Sequence, residues 1–156
     1  MIILKNQEDL KGLYRANQIV ASTLQELKKN CVAGITTGEL DQIAESFIRA
    51  SGGTPAFKGY NGFPATLCIS LNEEVVHGIP GTRKVAAGDI VSMDIGVLID
   101  GYYGDAAVTV PVGAVSNTAL KLMQVTEKAL YAGIDQARKG NRLGDISSAV
   151  QQHVES

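Results

Sequence analysis

Two aspartates, Asp94 and Asp105, lie within an apolar, strand-like run, GDIVSMDIGVLIDGYYGDAAVTVPVG, at residues 88–113. Carboxylate oxygens are hard ligands, and two of them on a rigid support can hold or bridge divalent cations. The run contains no lysine or arginine that could neutralise them. Either a metal ion compensates the pair, or both side chains are solvated at a surface, as most aspartates are.

A hairpin is needed to bring these carboxylates together. Alternating residues predict strands at about 90–99 and 102–110, and Asp100-Gly101 between them favours a type I′ turn. In that register Gly96 faces Asp105, and Asp94 is a diagonal neighbour of Asp105 on the same face. That face also carries Ser92, Tyr103, Ala107 and Thr109, and the opposite face carries Met93, Ile95, Val97, Ile99, Ala106 and Val108. The small neighbours favour a site over a solvated surface.

The second candidate is His77, in NEEVVHGIPG, where the following glycine and proline predict a constrained loop entering the hairpin. A neutral imidazole there could donate to or accept from a reacting carbonyl or amide. A structural or simply exposed histidine is the alternative. His153, in VQQHVES on the last helix, is expected on a solvated face.

Helices flank the hairpin. Helical spacing predicts a first helix over 7–30, and Thr36 followed by Glu39 predicts a capping box for a second helix that ends at Gly52-Gly53. A glycine-, proline- and aromatic-rich section follows, with a short strand at 66–71. Helices are predicted again at about 118–137 and from 143 onward, so the order is α, α, β-hairpin, α, α.

An internal repeat is visible in this order. CVAGITTGELDQIAE from Cys31 and ARKGNRLGDISSAVQ from Ala137 align without gaps, with glycines at the same two places. We expect one domain over 1–156, incomplete at its C-terminus, with a first repeat at about 1–113 and the start of a second at about 114–156.

Composition narrows the class of protein. The 156 residues include 14 basic and 16 acidic ones, and 45% are hydrophobic, with no apolar run long enough to span a bilayer. We therefore expect a cytoplasmic protein that binds neither nucleic acid nor membrane. Cys31 and Cys68, the only cysteines, lack the spacing of a zinc or redox pair and are expected to be reduced.

NGFPATLCISLNEEVVHGIPG followed by the aspartate hairpin closely resembles type I methionine aminopeptidases, which remove the initiator methionine from new polypeptides. The resemblance covers essentially the whole chain. It implies the α/β (α+β) pita-bread fold of creatinase and aminopeptidase-like enzymes. It also implies two divalent metal ions (Co, Mn, Fe or Zn) and nascent polypeptide N-termini beginning with Met as partners.

By position, the resemblance makes Asp94 and Asp105 metal ligands and makes His77 the residue that contacts the scissile amide or the tetrahedral intermediate. The residues that it assigns to the methionine side-chain pocket are Phe57, Tyr60, Phe63 and Cys68. Ordinary loop packing is the alternative for each pocket residue alone.

The family's remaining ligands, one histidine and two glutamates, have no counterpart before Ser156. We therefore expect a fragment with an incomplete metal site, with little or no activity and with a risk of self-association through an unpaired sheet edge and exposed apolar surface, whereas the full-length enzyme is expected to be a monomer. Two alternatives stay open: a non-catalytic interaction module with the same fold, and an Xaa-Pro aminopeptidase or prolidase-like enzyme.

Overall fold

The computed structural model describes residues 3–156. In chain order the elements are α1 (Gln7–Asn30), α2 (Thr37–Ala50), β1 (Thr54–Pro55), a 3₁₀ turn (Tyr60–Gly62), β2 (Leu67–Leu71), β3 (Ile90–Ile99), β4 (Tyr102–Pro111), α3 (Asn117–Ile134) and α4 (Leu143–Glu155). They form two compact units, one up to Ala114 and one from Val115 to Ser156. Within the described range, no helix combines the length and apolarity needed to cross a bilayer.

Helix α1 begins and ends at the predicted residues. The Asn6 side chain accepts hydrogen bonds from the Glu8 and Asp9 amides at 2.8 and 3.0 Å, which satisfies N–H groups that the first helical turn leaves free. Its buried face carries Ala16, Ile19, Val20, Thr23, Leu24 and Leu27. This face packs against β3 and β4. Gly104 of β4 permits the close approach, because a Cβ there would lie 2.7 Å from the Ala16 backbone.

The predicted capping box of α2 is confirmed. The Thr36 amide donates to Glu39 Oε2 at 2.8 Å, and the Glu39 amide donates to Thr36 Oγ1 at 3.2 Å. The bond from the Thr36 amide, and after it a bond of 2.7 Å from the Thr36 hydroxyl to the same carboxylate oxygen, hold the pKa of Glu39 below its usual value. The start of α2 is therefore fixed by a carboxylate in its ionised form.

Glu39→Gln is expected to destabilise the chain at neutral pH and to have no effect in acid. Because the folded-state pKa of Glu39 is lowered, its contribution is present above the unfolded-state pKa and is lost as the pH falls through the folded-state value. Urea unfolding of both proteins at pH 7 and at about pH 3 would measure this. Equal differences in unfolding midpoint at the two pH values would contradict it.

Strand β3 is the centre of an antiparallel sheet. It pairs along its whole length with β4, and on its other side with β2 and β1. Asp100 and Gly101 form the predicted turn with φ of 51° and 83°, which is the left-handed pair that a type I′ turn requires. The core face of β3 buries Val91, Met93, Ile95, Val97 and Ile99.

One strand and several element boundaries differ from the sequence-based prediction. Strand β1 has only two residues, one of them a proline, so no alternation could indicate it. Strand β4 continues to Pro111, one residue beyond the predicted end, while α3 stops at Ile134 rather than at 137. Proline is tolerated in β4 because the residue lies at the end of the strand.

The two helical pairs share local geometry at the aligned positions of the repeat. Gly34 and Gly140 both adopt left-handed φ, at 98° and 101°. Thr36 caps α2 and Arg142 caps α4. The Arg142 amide donates to the Asp145 carboxylate at 2.7 Å, as the Thr36 amide does to the glutamate three residues after it. The same turn is thus built twice.

Candidate functional site

The two aspartates lie on the face of the sheet opposite the core. We call this the site face. The observed pairing places Gly96 opposite Asp105 and Asp94 opposite Ala107, so the predicted diagonal relation of the two aspartates is confirmed. Diagonal neighbours of this kind have backbones about 7–8 Å apart, a separation that one cation or a cation pair can bridge.

Strand β2 adds a third column of residues to the site face. Cys68 lies opposite Asp94, and Ser70 lies opposite Ser92. Ser92 Oγ is 2.8 Å from Thr109 Oγ1 on β4. The site face therefore has a row of hydroxyls, Ser70, Ser92 and Thr109, next to the row that contains Asp94.

The site face concentrates negative charge. Burial raises the pKa of Asp94, the charge of Asp105 raises it further, and His77 acts in the opposite direction. Burial, followed by the charges of Asp94 and Asp105, raises the pKa of the Cys68 thiol to about 11. Asp105 itself is exposed. None of the ion pairs between residues 3 and 156 includes either aspartate, so the site favours an added cation.

His77 lies in an exposed loop that leaves the end of β2. Its φ is 61°, a left-handed conformation that is uncommon outside glycine. A positive charge on its ring would act to lower the pKa of Asp94, against the effects of burial and of Asp105. His153, predicted to lie on a solvated face, is half-buried on α4 in the second unit. Only part of its side chain is therefore in contact with solvent.

The four predicted pocket residues lie in two places. Cys68 is buried on β2. Phe57, Tyr60 and Phe63 lie on a loop closed by backbone hydrogen bonds, with the Tyr60 amide donating to the Phe57 carbonyl and the Phe63 amide to the Tyr60 carbonyl, both at 2.9 Å. Phe57 and Phe63 are half-buried, whereas Tyr60 is 70% exposed.

Gly96 brings Phe57 onto the site face. A Cβ at residue 96 would lie 2.5 Å from Phe57 Cε1, closer than real Cβ contacts come, and a tight 3.1 Å from Ala56 Cβ. The ring therefore packs directly over the backbone of β3 at Gly96, which faces Asp105 across the hairpin and follows Asp94 by two residues. The Phe57 ring can take this position because Gly96 has no side chain.

Gly96→Ala is expected to displace the Phe57 ring and to destabilise the chain by about 1–3 kcal/mol, the usual cost of overpacking. A double variant, Gly96→Ala with Phe57→Ala, should recover most of that loss because the clash is removed. Denaturant unfolding of the four proteins of this cycle measures the coupling. Additive effects of the two substitutions would contradict the contact.

Sequence reasoning missed one carboxylate near the site. Asp41 of α2 accepts hydrogen bonds from the Thr66 and Leu67 amides at 2.9 and 2.7 Å. It thereby fixes the start of β2, the strand that carries Cys68. Its position on an amphipathic helix gave no signal, because its partners lie about 25 residues further along the chain.

The carboxylates fit part of a metal site. They are two hard oxygen donors on adjacent strands, and burial, followed by the charge of Asp105, raises the pKa of Asp94. Within residues 3–156 there is no group of three or more His, Cys, Asp or Glu side chains that could hold a metal ion. The described residues can therefore supply two ligands.

Comparison with known proteins gives one consistent result. Residues 11–156 match the model of metallopeptidase family M24. Methionine aminopeptidase 1 of Bacillus subtilis is 53% identical over 156 residues, which are 100% of this chain and 63% of that protein. The crystal structure of methionine aminopeptidase from Rickettsia prowazekii superimposes with a TM-score of 0.97 at 36% identity, covering 99% of this chain and 62% of the other.

More distant structures show the fold alone. Prolidase from Pyrococcus furiosus has a TM-score of 0.88 at 19% identity, over 98% of this chain and 44% of the other. These similarities confirm the predicted pita-bread fold over the part that the chain spans, which is about 63% of the length of the B. subtilis relative. Because the family match extends from residue 11 to residue 156, the chain belongs to metallopeptidase family M24.

Proposed function

We propose that the protein to which this chain corresponds is a metal-dependent aminopeptidase that removes the initiator methionine from new polypeptides. The observation that carries the proposal is the diagonal pair Asp94 and Asp105 on an open face of the sheet, in a chain 53% identical to a methionine aminopeptidase. We further propose that the enzyme acts as a cytoplasmic monomer on N-termini that begin with Met, without nucleic acid or membrane.

Asp94 and Asp105 would hold the divalent metal, with Co, Mn, Fe and Zn as candidates, because carboxylates accept all four. When bound, such a metal polarises a carbonyl and lowers the pKa of bound water. His77 would hydrogen-bond the scissile amide. Cys68 remains a neutral thiol at pH 7, because its pKa is about 11.

The methionine side chain would lie against Phe57, Tyr60, Phe63 and Cys68. Aromatic rings and a neutral sulfur form an apolar, polarizable surface that suits a thioether. Phe57 would be the closest ring to the aspartates, because it packs over Gly96. Replacement of this ring would therefore raise KM for methionine peptides more than it lowers kcat.

The test is methionine release from the peptide Met-Ala-Ser by the product of the complete gene, with Mn²⁺ or Co²⁺ added, compared with cleavage of Ala-Pro peptides. Metal-dependent release of methionine, lost in Asp105→Asn, is the expected result. Cleavage of Ala-Pro peptides instead would favour an Xaa-Pro peptidase. No cleavage of either peptide would favour an interaction module. The 156-residue chain alone should release little or no methionine.

A further inference from the structure

The segment that carries His77 runs over residues 72–84, which we call the histidine loop. His77 is exposed, and its neighbours Val75 and Val76 are 85% and 64% exposed. Its left-handed φ of 61° costs energy that glycine would avoid. Apolar packing therefore does not hold this part of the loop, and the conformation of His77 depends on hydrogen bonds of nearby residues.

Those hydrogen bonds are made by the residue that follows His77. The Gly78 amide donates to Ser70 Oγ at 3.2 Å, and the Ile69 amide donates to the Gly78 carbonyl at 2.9 Å. A Cβ at Gly78 would overlap the Ile69 carbonyl oxygen, which shows how closely the loop approaches β2. Gly78 is thus joined to β2 through one backbone bond and one side-chain hydroxyl.

Ser70 is well placed for this contact. It is 3% exposed, and it lies on the site face two residues after Cys68, the partner of Asp94. Its hydroxyl therefore links the hydroxyl row of the sheet to the residue next to His77. Because Ser70 is buried in a strand that is paired with β3, its position is set by the same sheet that positions Asp94.

The far end of the loop is fixed independently by the start of α2. The Gly81 amide donates to Thr37 Oγ1 at 2.9 Å, and the Thr37 amide donates to the Arg83 carbonyl at 2.9 Å. Thr37 is 3% exposed. Residues 81–83 are thus held by α2, and Ser70 acts on the part of the loop before them, at Gly78.

We propose that Ser70 is a positioning residue for His77: by accepting a hydrogen bond from the Gly78 amide, its hydroxyl fixes the backbone at His77 and thereby the direction of the imidazole. This inference rests on the proposed role of His77. Ser70 does not touch the substrate or the metal. It sets the backbone geometry of the neighbouring residue, on which the direction of the imidazole depends.

The test uses Ser70→Ala in the 156-residue chain, with Ser92→Ala as the matched control, because Ser92 loses a hydroxyl from the same face but bonds to Thr109 instead. We expect the Gly78 amide to exchange at least about fivefold faster in Ser70→Ala, the effect of losing one hydrogen bond. The Cε1–H resonance of His77, recorded at one fixed pH, should shift, while that of His153 stays in place. Ser70→Thr should restore both values.

Unchanged Gly78 exchange and an unchanged His77 resonance in Ser70→Ala would overturn the inference, as would equal changes in Ser92→Ala. If Ser70→Ala does not fold, hydrogen exchange of the native chain is the test. The Gly78 amide, which donates to Ser70, must then exchange more slowly than the amides of the exposed Val75 and Val76, and equal rates would overturn the inference. Neither readout uses metal or substrate. A negative result here therefore leaves the peptidase proposal standing, and failure of the peptide assay leaves these readouts unaffected.

Discussion

Replacing Asp94 with asparagine is expected to weaken Mn²⁺ binding by the chain by at least about 10- to 100-fold, the usual cost of losing even a partner of a metal ligand, and, at the same time, to make the metal-free chain more stable. Both effects have one cause. Burial and the charge of Asp105 raise the pKa of Asp94, so its ionised form is unfavourable in the folded state unless a cation is present. Asparagine keeps the shape of the side chain and removes the charge.

The sign of the pH dependence follows from linkage. A carboxyl group with a raised folded-state pKa destabilises the fold while it is charged, and that destabilisation is relieved as the pH falls through the raised pKa. The advantage of Asp94→Asn over the native chain should therefore be largest at pH 7 and should shrink toward acid. Urea unfolding at several pH values measures it, and isothermal titration with Mn²⁺ measures the metal.

Asp89→Asn is the matched control, because the pKa of Asp89 is lowered in the folded chain, whereas that of Asp94 is raised. Hydrogen bonds from the Asn72 side chain and the Ala86 amide lower the pKa of Asp89. Its replacement should destabilise the chain and leave Mn²⁺ binding unchanged. If Asp94→Asn also lost stability and kept its affinity for Mn²⁺, the interpretation of Asp94 as a metal ligand whose charge destabilises the metal-free chain would be wrong.

The hairpin could be predicted because its signals are local. Alternation of period two marks which side of β3 is buried, and the Asp-Gly turn fixes the register, so the relation of Asp94 to Asp105 needed no distant information. Helix α1 was equally accessible from the helical spacing of its apolar residues, and α2 from its capping residues Thr36 and Glu39, which lie three positions apart. In each case the partners are close in sequence.

The parts that escaped prediction depend on partners far apart in the chain. Asp41 holds β2 across about 25 residues, Thr37 binds Gly81 across about 44, and Gly96 matters because the Phe57 ring covers it. No propensity or periodicity encodes such contacts. In the sequence, Ser70 looks like an ordinary residue of an apolar strand. Its hydrogen bond with the Gly78 amide forms only when the loop folds back on β2.

His77→Ala in the product of the complete gene is expected to lower kcat for Met-Ala-Ser by about 100-fold or more, the range for losing a group that transfers or stabilises a proton. Mn²⁺ affinity should change little, because the carboxylates remain. A loss of kcat without a loss of Mn²⁺ affinity distinguishes the role of His77 from that of the aspartates, since Asp94→Asn should lose both metal binding and turnover. Alanine, like histidine and unlike glycine, is strained at a left-handed φ. The stability of His77→Ala and of the native protein should therefore be compared by their unfolding midpoints.

His153→Ala supplies the control for that experiment. This residue is half-buried on α4, in the unit that does not contain the aspartates, and its replacement should leave both kcat and Mn²⁺ affinity near the native values. A His77→Ala protein that binds Mn²⁺ normally and turns over at the native rate would show that the imidazole takes no part in the reaction. In that case the strained backbone at His77 would require an explanation in stability alone, and the backbone bonds at Gly78 would be its natural origin.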